Sequence, residues 1–256
     1  MKSLLILLCT LLIVNLNNKT EPVNSAVYSW GKFKVKKQEA SESRAILTGT
    51  TTHLSHFEVH ATTLHTGNMP HSKHTHNDEE ELILVREGQL KITTEKISKT
   101  IGPGSIAFIM PGEEHGLENV GDTPATYYIM KFKSKAPMDM ARTQTAGGSM
   151  ILNREDLKFN VHEKGGRWNY FDRPTASCID FEMHATRLNE GISSHAPHTH
   201  PQEEIILMLK GNAKMNINGK DHKTSVGDVI FLDSEVPHGI TNIGSEACEY
   251  FAFQWK

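Results

Sequence analysis

Histidine is the residue whose number and spacing point most directly to chemistry in this sequence. The chain has fifteen histidines, eight of them within residues 53–115 and the other seven within residues 162–238. Each group contains one His-x-His pair, and residues i and i+2 of an extended strand point to the same face. Each pair would therefore direct two imidazoles into one space. The pairs are His74-x-His76 and His198-x-His200.

A carboxylate and a third histidine follow each pair along the chain. Three imidazoles and one carboxylate suit a divalent transition metal and leave coordination positions open for water or substrate. Two adjacent glutamates compete for the carboxylate role in each group, because apolar residues occupy both faces of the strand that follows. The residues are Glu80, Glu81 and His115 in the first group and Glu203, Glu204 and His238 in the second.

The two groups belong to an internal duplication. Residues 56–64 recur as residues 180–188 at an offset of 124, and one extra residue in the first copy shifts the offset to 123 beyond the His-x-His pair. Each copy spans about a hundred residues, which is an ordinary domain size. We therefore predict two homologous domains, residues 40–133 and 151–256, joined by a linker of residues 134–150.

Each copy is predicted to consist of β-strands. Short apolar runs soon reach a glycine, and neighbouring segments alternate between apolar and polar residues, as half-buried strands do. Asn218-Gly219 is a hairpin turn signal. Short strands separated by turns every 8–12 residues indicate a sandwich or barrel. The clearest apolar runs are Leu82-Ile83-Leu84-Val85 and Ile205-Ile206-Leu207-Met208-Leu209.

The spacing of these residues resembles that of the cupin superfamily. Both copies read His-x-His-x(3,4)-Glu-x6-Gly and then Gly-x10-His-x3-Asn, and together they cover nearly all of the chain beyond its N-terminal segment. The second motif departs from the family's frequent Pro-x-Gly: the first copy has Met110-Pro111-Gly112 and the second has Asp233-Ser234-Glu235. Those residues shape a turn, so the ligand assignment is unaffected.

This resemblance implies an all-β bicupin, with two tandem jelly-roll β-barrels that each hold one divalent metal ion. The ion could be Mn, Fe, Ni, Cu or Zn, because this donor set accepts all five. The six-residue gap to the next glycine selects the second glutamate of each adjacent pair. The implied metal ligands are His74, His76, Glu81 and His115, and His198, His200, Glu204 and His238.

The strand before each site has one apolar and one polar face. The polar faces are Glu58-x-His60-x-Thr62 and Glu182-x-His184-x-Thr186. They form either a structural hydrogen-bond network or the lining of the barrel, where a glutamate or histidine could act as general base. We predict that Glu182 and His184 are catalytic.

Three arginines flank the second site and could bind a substrate carboxylate. They are Arg167, Arg173 and Arg187. The alternative is that they are solvated or form structural ion pairs. Because the first copy is poorer in arginine, we predict that the second domain is the working site.

The charge composition argues against one class of function, nucleic-acid binding. The net charge of −3 gives no basic excess for nucleic-acid binding. We predict a metal-dependent enzyme that acts on a small oxygen-rich molecule, a sugar acid or a hydroxylated aromatic. Its reaction would be Lewis-acid and proton-transfer chemistry, of the isomerase or lyase type, or dioxygenase chemistry. The alternative is a non-catalytic metal- or sugar-binding module. The sequence leaves assembly into a homo-oligomer open.

The N-terminus predicts export. Residues 4–14 form an apolar run that is too short to cross a bilayer but suits a secretory signal. We predict a signal peptide over residues 1–26 and a secreted or periplasmic protein without stable membrane insertion; an uncleaved anchor is the alternative. In an oxidising compartment Cys178 and Cys248 could pair, or both could remain buried free thiols.

Overall fold

The computed structural model describes residues 21–256. The predicted signal segment and Cys9 therefore lie outside the described residues, except for residues 21–26. Twenty strands and one short helix are present in the described chain, which confirms the all-β prediction.

The first ten strands run from Ala26 to Ser134 and precede the helix. They are β1 Ala26–Tyr28, β2 Lys36–Lys37, β3 Ser41–Gly49, β4 Leu54–Leu64, β5 Glu80–Glu87, β6 Leu90–Thr94, β7 Ser98–Ile101, β8 Ile106–Ile109, β9 His115–Asn119 and β10 Ala125–Ser134. Helix α1, Met140–Thr145, follows within the predicted linker. Two short 3-10 turns, Trp30–Lys32 and Arg154–Asp156, complete the helical structure of the described residues.

The other ten strands repeat the same order. They are β11 Met150–Leu152, β12 Phe159–His162, β13 Gly165–Asp172, β14 Phe181–Leu188, β15 Glu203–Lys210, β16 Asn212–Ile217, β17 Lys220–Ser225, β18 Val229–Leu232, β19 His238–Asn242 and β20 Cys248–Trp255. The predicted Asn218-Gly219 turn joins β16 to β17, and both residues have positive φ, 51° and 77°, as a two-residue hairpin turn requires.

Each repeat forms a jelly-roll barrel from a seven-stranded and a three-stranded antiparallel sheet. The large sheets have the orders β11-β8-β5-β10-β4-β3-β2 and β1-β18-β15-β20-β14-β13-β12. The small sheets are β7-β6-β9 and β17-β16-β19. The second repeat thus reproduces the strand order of the first.

The two barrels exchange their outermost strands. Strand β1 precedes the first repeat but pairs with β18 of the second barrel, and β11 pairs with β8 of the first. Each large sheet therefore contains one strand from the other side of the predicted domain boundaries. A repeat comparison along the chain cannot show this, because it compares positions and not pairing partners.

The large sheets pack against each other through their apolar faces. Phe57 of β4 lies with its ring centroid 5.3 Å from that of Trp255, and Phe132 of β10 lies 5.4 Å from Phe181. Separate apolar clusters fill the inside of each barrel. On β5, Leu82 belongs to the cluster between the barrels, whereas Ile83 belongs to the core of the first barrel. A strand that is apolar on both faces therefore separates a barrel core from the interface between the barrels.

Residues 21–256 contain neither a disulfide bond nor a membrane-spanning helix. Cys178 and Cys248 are both buried free thiols, so the pairing considered from the sequence is absent. No helix in this range is long and apolar enough to cross a membrane.

Candidate metal centres

In the first barrel the chain brings the four predicted ligands together. His74 and His76 lie in the loop before β5, where His74 pairs with His115 in an isolated antiparallel bridge. Glu81 is the second residue of β5, and His115 is the first residue of β9. One ligand atom from each of the four lies within 4.8 Å of the others. The sequence expectation assumed a strand for the His-x-His pair, and a bridged loop achieves the same convergence.

Distances within this first cluster are short. His76 Nε2 lies 3.1 Å from one oxygen of Glu81, and His115 Nε2 lies 3.3 Å from the other. His74 Nε2 and His76 Nε2 are 2.8 Å apart. Burial would raise the pKa of Glu81, but the close approach of the His115 and His76 imidazoles outweighs burial and lowers that pKa. Glu81 is therefore a carboxylate directed at imidazole nitrogens.

The second barrel repeats the arrangement. Ligand atoms of His198, His200 and His238 lie within 4.8 Å of one another. Glu204 Oε2 lies 2.9 Å from His238 Nε2 and 3.6 Å from His200 Nε2. The close approach of these two imidazoles outweighs burial and lowers the pKa of Glu204 to about 2. Glu204 thus contacts two of the three histidines of this second cluster.

Backbone contacts orient several of the rings. The Nδ1 atoms of His115, His200 and His238 lie 3.1, 2.9 and 2.8 Å from backbone carbonyl oxygens, so Nδ1 of each ring faces the backbone and Nε2 faces the cluster. Within the described residues, the buried Nε2 atoms of these three histidines have no hydrogen-bond partner of accepted geometry. Buried ring nitrogens without such partners, facing a carboxylate, fit a bound divalent cation.

The competing glutamates point away from both clusters. Glu80 accepts hydrogen bonds from Thr175 Oγ1 and from the backbone N–H groups of Ala176 and Ser177, at 2.8, 2.7 and 3.2 Å. Glu203 accepts from Thr51 Oγ1 and the backbone N–H of His53, at 2.8 and 2.9 Å. Each of these carboxylates therefore reaches a loop of the other repeat, and its neighbour faces the metal cluster.

Each cluster lies in a cavity inside its barrel. The first cavity has a volume of about 420 Å³ and the second about 330 Å³. The polar face of β14 lines the second cavity, and His184 Nδ1 lies 3.2 Å from Glu182 Oε1. The corresponding pair in the first cavity is His60 and Glu58, 2.8 Å apart. The apolar faces of these strands pack between the barrels, so the polar faces are the barrel linings.

The three predicted arginines separate into two groups. Arg167 borders the second cavity, and its NH2 group donates to Glu182 Oε1 at 3.1 Å. Arg173 and Arg187, predicted to bind substrate, do not line that cavity. Arg173 binds the carbonyl oxygens of residues 146 and 148, which follow α1. On β14, Arg187 alternates with Glu182 and His184, so its side chain lies on the opposite face of the strand. It forms an ion pair with Glu249.

The structure also adds a histidine to each cavity. His71 packs edge-on against His74, and His195 against His198, with ring centroids 4.2 and 4.0 Å apart. His71 and His195 are 124 positions apart, so the repeat offset that matched the ligands could have identified them as an equivalent pair.

Comparison with known proteins agrees with this geometry. The family model for the cupin domain matches residues 60–131 and 186–253, which is more than half of the chain. Among solved structures, oxalate decarboxylase from Lactobacillus farciminis, determined as a formate complex, superposes with a TM-score of 0.71 at 16% identity, covering 91% of this chain and 87% of that one.

Two further structures are similar over almost their whole length. The protein Ylba from E. coli has a TM-score of 0.69 at 17% identity, with 94% of this chain and 95% of that chain covered. A putative glyoxylate-induced protein from Pseudomonas aeruginosa has a TM-score of 0.70 at 17% identity, with 94% and 92% covered. At these identities the likeness concerns the fold. The chain belongs to the cupin family and carries two cupin domains.

Proposed function

We propose that this protein is a metal-dependent enzyme that binds one divalent transition ion in each barrel and acts on a small oxygen-rich molecule in the second cavity. The observation that carries the proposal is the convergence of buried imidazole nitrogens and a carboxylate, which occurs twice at matched positions. When bound, the metal would supply Lewis acidity or, if it is a redox ion, dioxygen chemistry.

The chain's own residues supply proton transfer beside the cluster. Hydrogen bonding from His184, together with Arg167, lowers the pKa of Glu182, so this residue is a carboxylate. It accepts the Nδ1–H of His184 and leaves Nε2 of that ring as the proton acceptor. In this arrangement His184 removes a proton from the substrate, and Glu182 holds the ring and stabilises its charged form.

Metal content is tested first. Elemental analysis of the purified protein should find two ions per chain, and His74→Ala/His76→Ala should remove one and leave the other. The matched control is His222→Ala, which removes an exposed imidazole on β17 and should leave both ions in place. Loss of both ions in the double variant, or of neither, contradicts independent sites.

The proton-transfer role is tested without knowledge of the product. A panel of sugar acids, hydroxylated aromatics and oxalate is incubated in D₂O with the metal-loaded protein, and loss of C–H signals or appearance of products is followed by NMR. Oxalate is included because the fold is similar to that of oxalate decarboxylase. For the substrate that reacts, His184→Ala should lower the rate by about 10²–10⁴.

The matched variant for this assay is His60→Ala, which makes the same change in the first cavity and should leave turnover intact. Equal loss in both variants, with both ions retained, would assign chemistry to both barrels. If no compound in the panel reacts or exchanges, the protein is a non-catalytic metal- or sugar-binding module.

A further inference from the structure

The walls of the two cavities share four kinds of side chain around the metal clusters and differ at one position beside them, which is Lys131 in the first barrel and Gln254 in the second. Each cavity has a glutamate, a histidine and a threonine from one strand and a tyrosine from the next. The matched pairs are Glu58 and Glu182, His60 and His184, Thr62 and Thr186, and Tyr127 and Tyr250. Duplicated barrels with such similar inner walls would accept the same ligand unless they differ elsewhere.

They differ at the outer strand pair, β2 and β3 in the first barrel and β12 and β13 in the second. The strand register fixes which residues correspond. Ser43 lies opposite Thr62, and Arg167 lies opposite Thr186, so serine and arginine occupy the same place. This position borders the cavity in both barrels.

Two further positions on or beside this strand pair also change from neutral residues in the first repeat to a histidine and a lysine in the second. The carbonyl oxygen of Ala40 accepts from a backbone N–H at 2.9 Å, and the carbonyl of Lys164 accepts the equivalent bond at 2.9 Å. Gln38 and His162 stand two residues earlier in the two repeats and border their cavities. The mouth of the second cavity therefore carries His162, Lys164 and Arg167, and the equivalent positions of the first repeat, which we call the first mouth, are Gln38, Ala40 and Ser43.

The cations at the second mouth retain donors for a ligand. Lys164 Nζ uses one of its three N–H groups on the carbonyl oxygen of Ser194, at 2.6 Å. Arg167 contacts Asn169 and Glu182 through two of its nitrogens, and its side chain is 41% exposed. A guanidinium has five N–H donors, so donors remain for a carboxylate.

Of the two cations that border the first cavity, one is neutralised by a carboxylate and the other stacks on an aromatic ring. Lys131 Nζ forms an ion pair with Glu79 at 2.9 Å. The guanidinium of Arg44 lies 4.1 Å from the centre of the Trp30 ring. What this cavity adds is hydroxyl and amide groups, from Ser41, Ser43 and Gln38, which donate and accept hydrogen bonds without charge.

We propose that the two cavities select ligands of different charge. The second takes a small organic anion whose carboxylate is bound at the mouth by Lys164 and Arg167, and the first takes an uncharged polyhydroxyl compound. This inference rests on the proposed function, because the remaining oxygens of each ligand lie at the metal cluster. The second barrel is then the site of reaction for an organic acid, and the first is a separate binding site.

Tartrate and threitol form a matched pair of probes. Both have four carbons with two central hydroxyl groups, and they differ in ending with carboxylates or with alcohols. Titration calorimetry on the metal-loaded full chain should show tartrate bound at one site per chain, with an affinity that falls as salt is added. Threitol should bind at one site with little dependence on salt.

The chain provides its own exchange experiment. His162→Gln/Lys164→Ala/Arg167→Ser gives the second mouth the residues of the first and should weaken tartrate binding about tenfold or more. The reverse set, Gln38→His/Ala40→Lys/Ser43→Arg, should create a second tartrate site. Lys220→Ala/Lys223→Ala is the control, because it removes two exposed positive charges on β17 and should leave tartrate binding unchanged.

Three outcomes overturn the inference. They are tartrate affinity unchanged in the first triple variant, tartrate binding at two equal sites in the original chain, and no tartrate binding at millimolar concentration. Elemental analysis on the same samples separates this failure from failure of the proposed function. If two ions per chain are found and tartrate binding is unchanged in the first triple variant, only the proposal of charge selection fails. If the original chain contains no metal, the proposal of a metal-dependent enzyme fails.

Discussion

Glu80 offers the sharpest test of how the barrels are held together. Its carboxylate is fully buried between them and accepts three hydrogen bonds from the loop that precedes β14. Burial raises the pKa of Glu80, and the three donated bonds act against that rise. We choose Glu80→Gln because it keeps the shape of the side chain and replaces one acceptor oxygen by an amide NH₂.

The magnitude follows from which donors lose their partner. Oxygen Oε2 of Glu80 accepts from Thr175 Oγ1 and the backbone N–H of Ser177, and Oε1 accepts from the backbone N–H of Ala176. If the amide oxygen takes the Oε2 place, the N–H of Ala176 is left facing an NH₂ group, which costs about 1–3 kcal/mol. The two remaining bonds lose a charged acceptor, at about 1 kcal/mol each.

Removal of a buried charge offsets part of this loss. We therefore expect Glu80→Gln to lower the free energy of unfolding by about 2–3 kcal/mol, which for a protein of this size is a fall of about 4–12 °C in Tm. The assay is thermal and urea denaturation after chelator treatment, so that metal binding does not contribute. Glu87→Gln is the control, since Glu87 lies on the same strand with its side chain 56% exposed.

The reasoning is refuted if Glu80→Gln and Glu87→Gln unfold within about 0.5 kcal/mol of each other, which is the usual range for surface changes. In that case the buried carboxylate would not stabilise the contact between the barrels.

Three further outcomes are expected. Burial would raise the pKa of Glu249, but its two arginine partners outweigh burial and lower it; the original chain should therefore lose more stability than Glu249→Gln between about pH 5 and pH 3, as denaturation at each pH will show. Gly88→Ala should lower the free energy of unfolding, measured by urea denaturation, by about 2 kcal/mol or more, because the new Cβ would lie 2.6 Å from the Cα of Ala125 on β10. Gly67→Ala has an equally positive φ but open space around the new Cβ, so it should cost less. The sequence predicted a signal peptide over residues 1–26, but Val23 is buried in the fold and Ala26 pairs with Phe231. If the chain is exported, N-terminal sequencing should therefore find Glu21 or an earlier residue first, and a start near residue 27 would contradict this revised boundary.

Much of the fold was predictable because the duplication made each motif visible twice. The alternation on β4 and β14 and the glycine spacing predicted barrels, and the His-x-His pairs predicted the clusters. From the sequence, the choice of Glu81 over Glu80 as the metal ligand rested on the six-residue gap to the next glycine in the cupin motif, because β5 is apolar on both faces. The structure gives a physical basis for it: one of these faces belongs to the interface between the barrels, so strand parity directs Glu80 to the interface and Glu81 to the metal cluster.

The arginines show in part what the sequence could not supply. Strand parity on β14 already places Arg187 on the face opposite Glu182 and His184. Arg173 is also close in sequence to the second site, but proximity along a chain does not state where a side chain points once a bulge is present. Strand β13 has such an irregularity between Asn169 and Phe171, just before Arg173. Strand exchange was hidden for a similar reason, since pairing between distant strands leaves no mark in a repeat comparison.

The position of each difference within the sheets explains how duplicated barrels can diverge without losing their clusters. Ligands Glu81 and Glu204 lie on β5 and β15, which have strands on both sides and are tied to the other barrel through the preceding glutamate. The mouth residues lie at the outer ends of the same sheets: Gln38 and His162 at the ends of the edge strands β2 and β12, Ala40 and Lys164 in the turns that follow, and Ser43 and Arg167 on β3 and β13. None of these positions is a cluster ligand, so charge at the mouth can change without replacing a ligand. The interiors of the two barrels are tied to each other, whereas their mouths can change independently, and this combination is what binding of two different ligands on one scaffold requires.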